Sequence, residues 1–372
     1  MMELVDLLTL GGAAGAAGAA GSWAVARWHL RGPDLSAFDA PVGERFAQGP
    51  PSEAHRAVVD SLGGVREALR GVPRRQHIPA LRRYLDEAFQ DDDAEVRILP
   101  VQADGVPAEW VLAPGARPAR RLLYLHGGAF ATGSPRSHRR LTRVLSRLTG
   151  AAVLAIDYRL MPEHPRRAGI EDCRRAWRWL LDHGPEGPGA AETLWVAGDS
   201  AGGNLTLSLL AWVRDGGGRQ PDGAVVFSPA TDSTLGSPSL RRHLGSDPML
   251  GPLIGPMLRV PRPLLLWSSW LLTRINPQHP DISPVHGDLS RLPPVLVQAS
   301  EAEMLRDDGR RYVNRARAAG SPVRLQSFAH MVHVWQIFNP ELPEARQALA
   351  EIGKFLGAAA ADAGQDDERR AA

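Results

Sequence analysis

From residue 122 to residue 356, short apolar runs of strand length alternate with stretches whose apolar residues recur at helical spacing. Residues 122–125, 152–156, 194–197, 224–227, 295–297 and 323–328 read as strands. Residues 137–148, 170–181, 204–213, 308–319 and 344–356 read as helices between or after them. Strands joined in succession by helices lie parallel and need both sheet faces covered, so few architectures remain. Upstream, residues 95–101 and 106–113 flank Asp104-Gly105 and predict a hairpin ahead of the alternation. The expected fold is α/β, with a mostly parallel sheet and helices on both faces.

A chain of 372 residues with 44% hydrophobic and 23% charged residues can bury a large core. One catalytic domain with appendages fits that length better than two equal domains. The expected division is a candidate membrane anchor or disordered tail at 1–30 and a helical cap segment at 31–92. A catalytic domain follows at 93–357 with a cap insertion at about 240–280, then a disordered tail at 358–372. The cap segment reads as two helices over 52–90, broken near Gly71-Val72-Pro73. The insertion is apolar and proline-punctuated, carries Leu264-Leu265-Leu266-Trp267, and reads as a buried cap helix, with a lid that touches lipid as the rival.

Net charge is +2, and Lys354 is the only lysine among 43 basic residues, so the pI near 9.0 reports arginine. No long basic run stands out, which argues against nucleic acid as a partner. The one cysteine, Cys173, allows no intrachain disulfide and reads as a small core residue. The 12 histidines form no ligand pattern, so neither a metal nor another cofactor is expected.

Residues 7–26 carry no charge and are long enough to cross a bilayer, yet much of the run is Gly and Ala. They are a candidate membrane contact, with a cleaved signal at Ala24-Val25-Ala26 and a loose tail as rivals. Arg27 and Arg31 follow, so the positive-inside rule would leave the catalytic domain cytoplasmic.

Chemistry enters at Gly198-Asp199-Ser200-Ala201-Gly202, between a strand and a helix. That context is the one a nucleophile elbow requires: a strained strand-to-helix turn with small neighbours presents the serine. His126-Gly127-Gly128-Ala129 follows the strand at 122–125, where an oxyanion loop belongs. The backbone N–H groups of Gly128, Ala129 and Ala201 are candidate donors to a developing oxyanion. An acid and a histidine should follow in that order. Glu301, Glu303 and Asp307 lie past one strand, and His330 and His333 past the next; the residues alone leave these choices open.

From about residue 95 to 356 the chain resembles the hormone-sensitive lipase-like bacterial esterases, which have the α/β-hydrolase fold. The resemblance rests on residues 126–130 (HGGAF), 157–165 (DYRLMPEHP), 198–203 (GDSAGG), Ser283-Pro284, 292–294 (LPP) and 305–309 (LRDDG). It implies Ser200 as nucleophile, Glu303 as the triad acid and His333 as the base, with His330 shaping the loop. Glu303 stands where Asp is commoner, and Ala129 replaces a third glycine. The residues at Asp157, Arg159, Glu163 and His164 then brace a loop through local hydrogen bonds, and His138 with Arg139 and Arg140 reads as a solvated helix face.

The expected activity is hydrolysis of short- to medium-chain acyl esters of small molecules through an acyl-enzyme, the chain-length range being implied by the resemblance alone. Rival expectations are amide or N-acetyl deacylation, a polycyclic or lactone ester, and a non-catalytic ligand-binding protein on the same fold, as in the plant gibberellin receptors. Those receptors lack the triad histidine, which is present here as His333. Oligomeric state is not legible.

Overall fold

The structure, a computed structural model, describes residues 21–89 and 93–371. Nine strands form one sheet: β1 Glu44–Phe46, β2 Arg97–Ala103, β3 Val106–Leu112, β4 Arg117–Leu125, β5 Ala151–Ile156, β6 Thr193–Asp199, β7 Gly223–Phe227, β8 Val295–Ser300 and β9 Val323–Phe328. Their order is β1-β9-β8-β7-β6-β4-β5-β3-β2. Within this sheet the β2–β3 and β3–β5 pairs are antiparallel and the rest parallel; His183–Gly184 and Gly187–Pro188 form a separate antiparallel ribbon. The helices are α1 Glu53–Ser61, α2 Gly63–Ala68, α3 His77–Ala88, α4 Arg139–Thr149, α5 Arg166–Asp182 and α6 Ser200–Asp215. They continue with α7 Ser239–Arg242, α8 Leu250–Leu258, α9 Arg262–Thr273, α10 Arg306–Ala318 and α11 Pro343–Ala371.

The pleat divides the core into two layers. Along β4, Leu123 and Leu125 join a cluster with Trp177 of α5, Leu205 of α6 and Tyr312 of α10. Leu122 and Tyr124, one residue out of phase, join the other face with Leu145 of α4 and Ile352 of α11. Side chains of period two require this, because every second residue of a central strand faces a different helical layer. Cys173 is buried in the first layer, as expected of a small core residue.

Several local expectations change. The cap segment holds three helices, since the first one predicted is split at Leu62, where the chain re-enters helix at Gly63. Residues from 358 onward continue α11 to Ala371. β1, at the sheet edge, pairs in parallel with β9 and stacks Phe46 on Phe328 at 4.9 Å. Three residues without alternation give no strand signal, so its pairing is visible only in three dimensions. Of the candidate anchor at 7–26, residues 7–20 lie outside the described residues. No described helix is long and apolar enough to cross a membrane.

Candidate active site

Ser200 stands where β6 gives way to α6, at φ +51° after an extended Asp199. A non-glycine residue in the left-handed region costs roughly 1–2 kcal/mol and persists only where the surroundings enforce it. Close approach to β4 enforces it here: a Cβ at Gly202 would fall 1.9 Å from the Leu125 carbonyl oxygen. The elbow therefore sits directly against the end of β4, the strand that launches the glycine loop.

That loop is strained as well. Gly128, Ala129 and Phe130 take φ values of +111°, +53° and +62° in succession. The Gly128 carbonyl accepts from the N–H of Ala131 (3.1 Å), the N–H of Thr132 (2.9 Å) and the Thr132 hydroxyl (2.9 Å). Arg82 of α3 donates to the carbonyls of Ala131 (2.8 Å) and Met161 (3.0 Å) and pairs with Glu163. The cap segment thus clamps the loop from outside. Glu163 braces this contact across 81 positions rather than locally, whereas Arg159 binds Asp172 of α5.

Asp199 ties loop to elbow from inside. Its Oδ1 accepts from the Tyr124 hydroxyl (2.7 Å) and the Gly127 N–H (3.0 Å), and His138 Nε2 lies 3.3 Å from Oδ2. All four residues are buried. Burial pushes the Asp199 pKa up, but facing His138 and the hydrogen bonds from His138 and Tyr124 prevail and hold it below 3.8. His138 is raised above 6.5 for the converse reason: burial lowers it, and Asp199 outweighs that. His138 is therefore not on a solvated face. Arg139 and Arg140 are the outward members of that turn and pair with Glu109 and Glu341. Sequence reading missed this network, because nothing in one dimension links positions 124, 138 and 199.

The structure brings Glu303 and His333 together, Glu303 Oε2 lying 2.6 Å from His333 Nδ1. A carboxylate only accepts, so the proton belongs on Nδ1, leaving the lone pair of the neutral ring on Nε2. Nε2 is buried and has no hydrogen-bond partner among the described residues. The second oxygen of Glu303 accepts from the Ser300 N–H (2.7 Å), and the Ser300 hydroxyl donates to the Met331 carbonyl (2.6 Å), joining the acid turn to the histidine turn. Burial lowers the His333 pKa, but the hydrogen bond and charge of Glu303, with Asp247 and Asp199 further off, raise it above 6.5.

The turn after β7 touches both halves of the site. The Ala230 N–H donates to the Ser200 carbonyl (3.2 Å), and the Ser228 hydroxyl accepts from the Val334 N–H (3.3 Å). Rival acids and histidine are engaged elsewhere: Glu301 binds Arg310 and Ser327, Asp307 binds Arg306 and the Ser239 N–H, and His330 is exposed beside Pro50 and Glu344.

A groove of about 720 Å³ opens between α1–α2 and the start of α8, lined by none of Ser200, Glu303, His333 or the glycine loop. Val59, Leu62 and Leu69 line one wall and Met249 and Leu253 the other. Asp247, two residues before Met249, accepts from the Met304 N–H (2.9 Å) beside Glu303, which ties that wall to the acid turn.

Known proteins carry the same framework. A family model described as alpha/beta hydrolase fold matches residues 122–337. An acetyl-hydrolase of Streptomyces hygroscopicus is 41% identical over 249 residues, covering 67% of this chain and 79% of that one. An esterase of Acinetobacter venetianus is 34% identical over 278 residues, or 74% and 88% of the two chains. A solved esterase of the bacterial hormone-sensitive lipase family superposes with a TM-score of 0.71 at 37% identity, covering 83% of this chain and 98% of that chain.

Proposed function

The chain belongs to the alpha/beta-hydrolase family, among the bacterial esterases of the hormone-sensitive lipase type, and we propose that it cleaves short- to medium-chain acyl esters through Ser200, His333 and Glu303. The carrying observation is the buried Glu303–His333 pair, its outer nitrogen unpartnered among the described residues, linked through the turn after β7 to a strand-to-helix turn that bears a left-handed serine. In this reading His333 takes the hydroxyl proton as Ser200 Oγ bonds to the ester carbonyl carbon. The backbone N–H groups of Gly128, Ala129 and Ala201 hold the resulting oxyanion. His333 then passes its proton to the departing alcohol oxygen, leaving an acyl-serine. Water, deprotonated by His333, releases the acid and restores the serine. Glu303 fixes the imidazole tautomer and stabilises the imidazolium.

The groove beside α8 is apolar enough to receive an acyl chain, and a relative named for acetyl removal supports a small acyl group. The test is a p-nitrophenyl ester series from acetyl to palmitoyl, with p-nitroacetanilide as the amide. Highest kcat/KM among the shorter esters is expected, with the amide at least about 10³-fold slower, its barrier roughly 4 kcal/mol higher. A correctly folded protein inert toward every ester in the series sinks the proposal, and faster amide cleavage moves it to a deacylase.

The pH profile follows from the raised His333 pKa. Only the neutral ring can take the serine proton, so kcat/KM should rise with pH through a midpoint above 6.5. Glu303→Gln should lower that midpoint and cut kcat by roughly 10³–10⁴, since the tautomer is no longer enforced. The stability contribution has the opposite sign. A histidine raised in the folded state stabilises fully below 6.5 and loses that contribution as pH climbs through its folded value. A midpoint below 6.5 in the wild type would assign the base to another group.

A further inference from the structure

Single apolar side chains scattered on a surface are ordinary. Here they are gathered. Among the described residues, every strongly exposed large hydrophobic except Leu148 and Leu244 lies in residues 23–28 or 253–272. Trp28 is 70% exposed and Leu272 76%. On α9, Leu264, Ser268, Leu271 and Leu272 fall at helical spacing and form the outer stripe, while Leu265 and Leu266 turn inward.

The two stretches form one face. Residues 21–25 are helical and run into a wider helical turn, Ala26–Leu30. Trp267 Nε1 donates to the Ser22 carbonyl (2.9 Å), and Arg262 to that of Arg31 (2.9 Å). The side-chain amides of Asn276 and Gln278 both donate to the His29 carbonyl, at 2.9 and 2.6 Å. Polar bonds thus hold the backbone of the first stretch on α9 while the tryptophans face outward.

Charge decides what such a face fits. Residues 21–33 and 250–275 contain no acidic residue. Arg27, Arg31, Arg259 and Arg274 are exposed and make no salt bridge among the described residues; Asp34, the next acid along the chain, accepts from the Ser36 N–H and offsets only part of the charge, being within range of Arg31. A second copy docking the same patch about a twofold axis would bring these arginines against one another. An anionic headgroup layer is complementary to them, and tryptophan and leucine suit the headgroup–acyl boundary. We propose that this face is a docking surface for an anionic lipid bilayer, on which the protein lies without crossing. The docking does not depend on the triad assignment. It would bring α8, whose exposed Leu253 also lines the cap groove, toward the bilayer.

The test is flotation of the full chain with phosphatidylcholine vesicles, with and without phosphatidylglycerol. It compares wild type with a Trp28→Ser, Leu271→Ser, Leu272→Ser triple variant and with an Arg27→Gln, Arg274→Gln pair. Binding of the wild type should be at least about tenfold stronger with phosphatidylglycerol, and weaker at about 0.5 M NaCl where charges are screened. The triple variant should lose about tenfold or more in partitioning, and the arginine pair most of the lipid selectivity. p-Nitrophenyl acetate turnover unchanged in the variants would show that the fold is intact. Wild type that fails to float overturns the proposal. So does a triple variant that floats like wild type, which would assign binding to another part of the chain. A vesicle-free wild type that is dimeric, and made monomeric by the triple substitution, overturns it in favour of a second copy.

Discussion

Replacing Ser200 with alanine should cut p-nitrophenyl acetate hydrolysis by about 10⁴-fold or more, leaving only what substrate binding and the proposed backbone donors would provide. The fold should barely notice. Serine and alanine meet the same steric cost at φ +51°, since both carry a Cβ, and the change adds no volume beside Leu125. Stability should stay within about 0.5 kcal/mol, as for substitutions that disturb no packing or hydrogen bond. The loss would then be chemical rather than structural. No thiol stands ready to replace the hydroxyl: Cys173 is the only cysteine, and burial raises its pKa far from the thiolate range. An alkyl phosphonate ester should add one mass increment to the wild type and none to Ser200→Ala. Activity within tenfold of wild type, or a label surviving the substitution, would place the nucleophile elsewhere and leave the His333 ring without its assigned partner.

What was legible in the chain follows the range over which each signal acts. Strand and helix periods are local, so the alternation from β4 to α11 could be read directly, as could the turn that carries Ser200. The glycine loop was legible because it directly follows a strand and its small residues leave backbone N–H groups open, whereas the left-handed backbone of Ala129 and Phe130 was not. Choosing among Glu301, Glu303 and Asp307 was different. All three lie within seven positions past the same strand, and the residues alone gave no preference; the resemblance supplied Glu303. What separates them in the structure is the partner each meets: His333 for Glu303, Arg310 for Glu301, Arg306 for Asp307. His138 was misread for the same reason. Beside Arg139 and Arg140 it looks solvated, and only Asp199, 61 positions later, makes its burial affordable. Arg82 reaching the loop at Ala131 and β1 reaching β9 are likewise contacts that no periodicity announces.

Asp199 should carry the largest structural effect of any single side chain in the site. Asp199→Ala would leave the buried Tyr124 hydroxyl and Gly127 N–H without an acceptor and His138 without its counter-charge. Removing one partner from a buried ionic and hydrogen-bonded cluster costs about 3–5 kcal/mol, a sizeable part of a typical 5–15 kcal/mol stability. Tm should fall by about 5 °C. Activity should suffer further, because the Gly127 bond holds the start of the loop that presents Gly128 and Ala129; a loosened oxyanion donor costs about 10²-fold in kcat. Asp199→Asn separates the two contributions. Its carbonyl oxygen can still accept from Tyr124 and Gly127, so near neutral pH it should resemble the wild type more than the alanine variant does. It lacks the charge, and pH should expose that. The lowered Asp199 pKa supplies stability present above 3.8 and lost as pH falls through the folded value. The raised His138 pKa supplies stability present below 6.5 and lost as pH rises through its folded value. The stability difference between wild type and Asp199→Asn should therefore be greatest between pH 3.8 and 6.5 and shrink on either side. Thermal melts of the three proteins across that range measure it. A difference that is flat with pH would mean that Asp199 serves as a neutral hydrogen-bond acceptor. An alanine variant as stable and active as wild type would mean that the elbow and the loop hold their strained backbones without it.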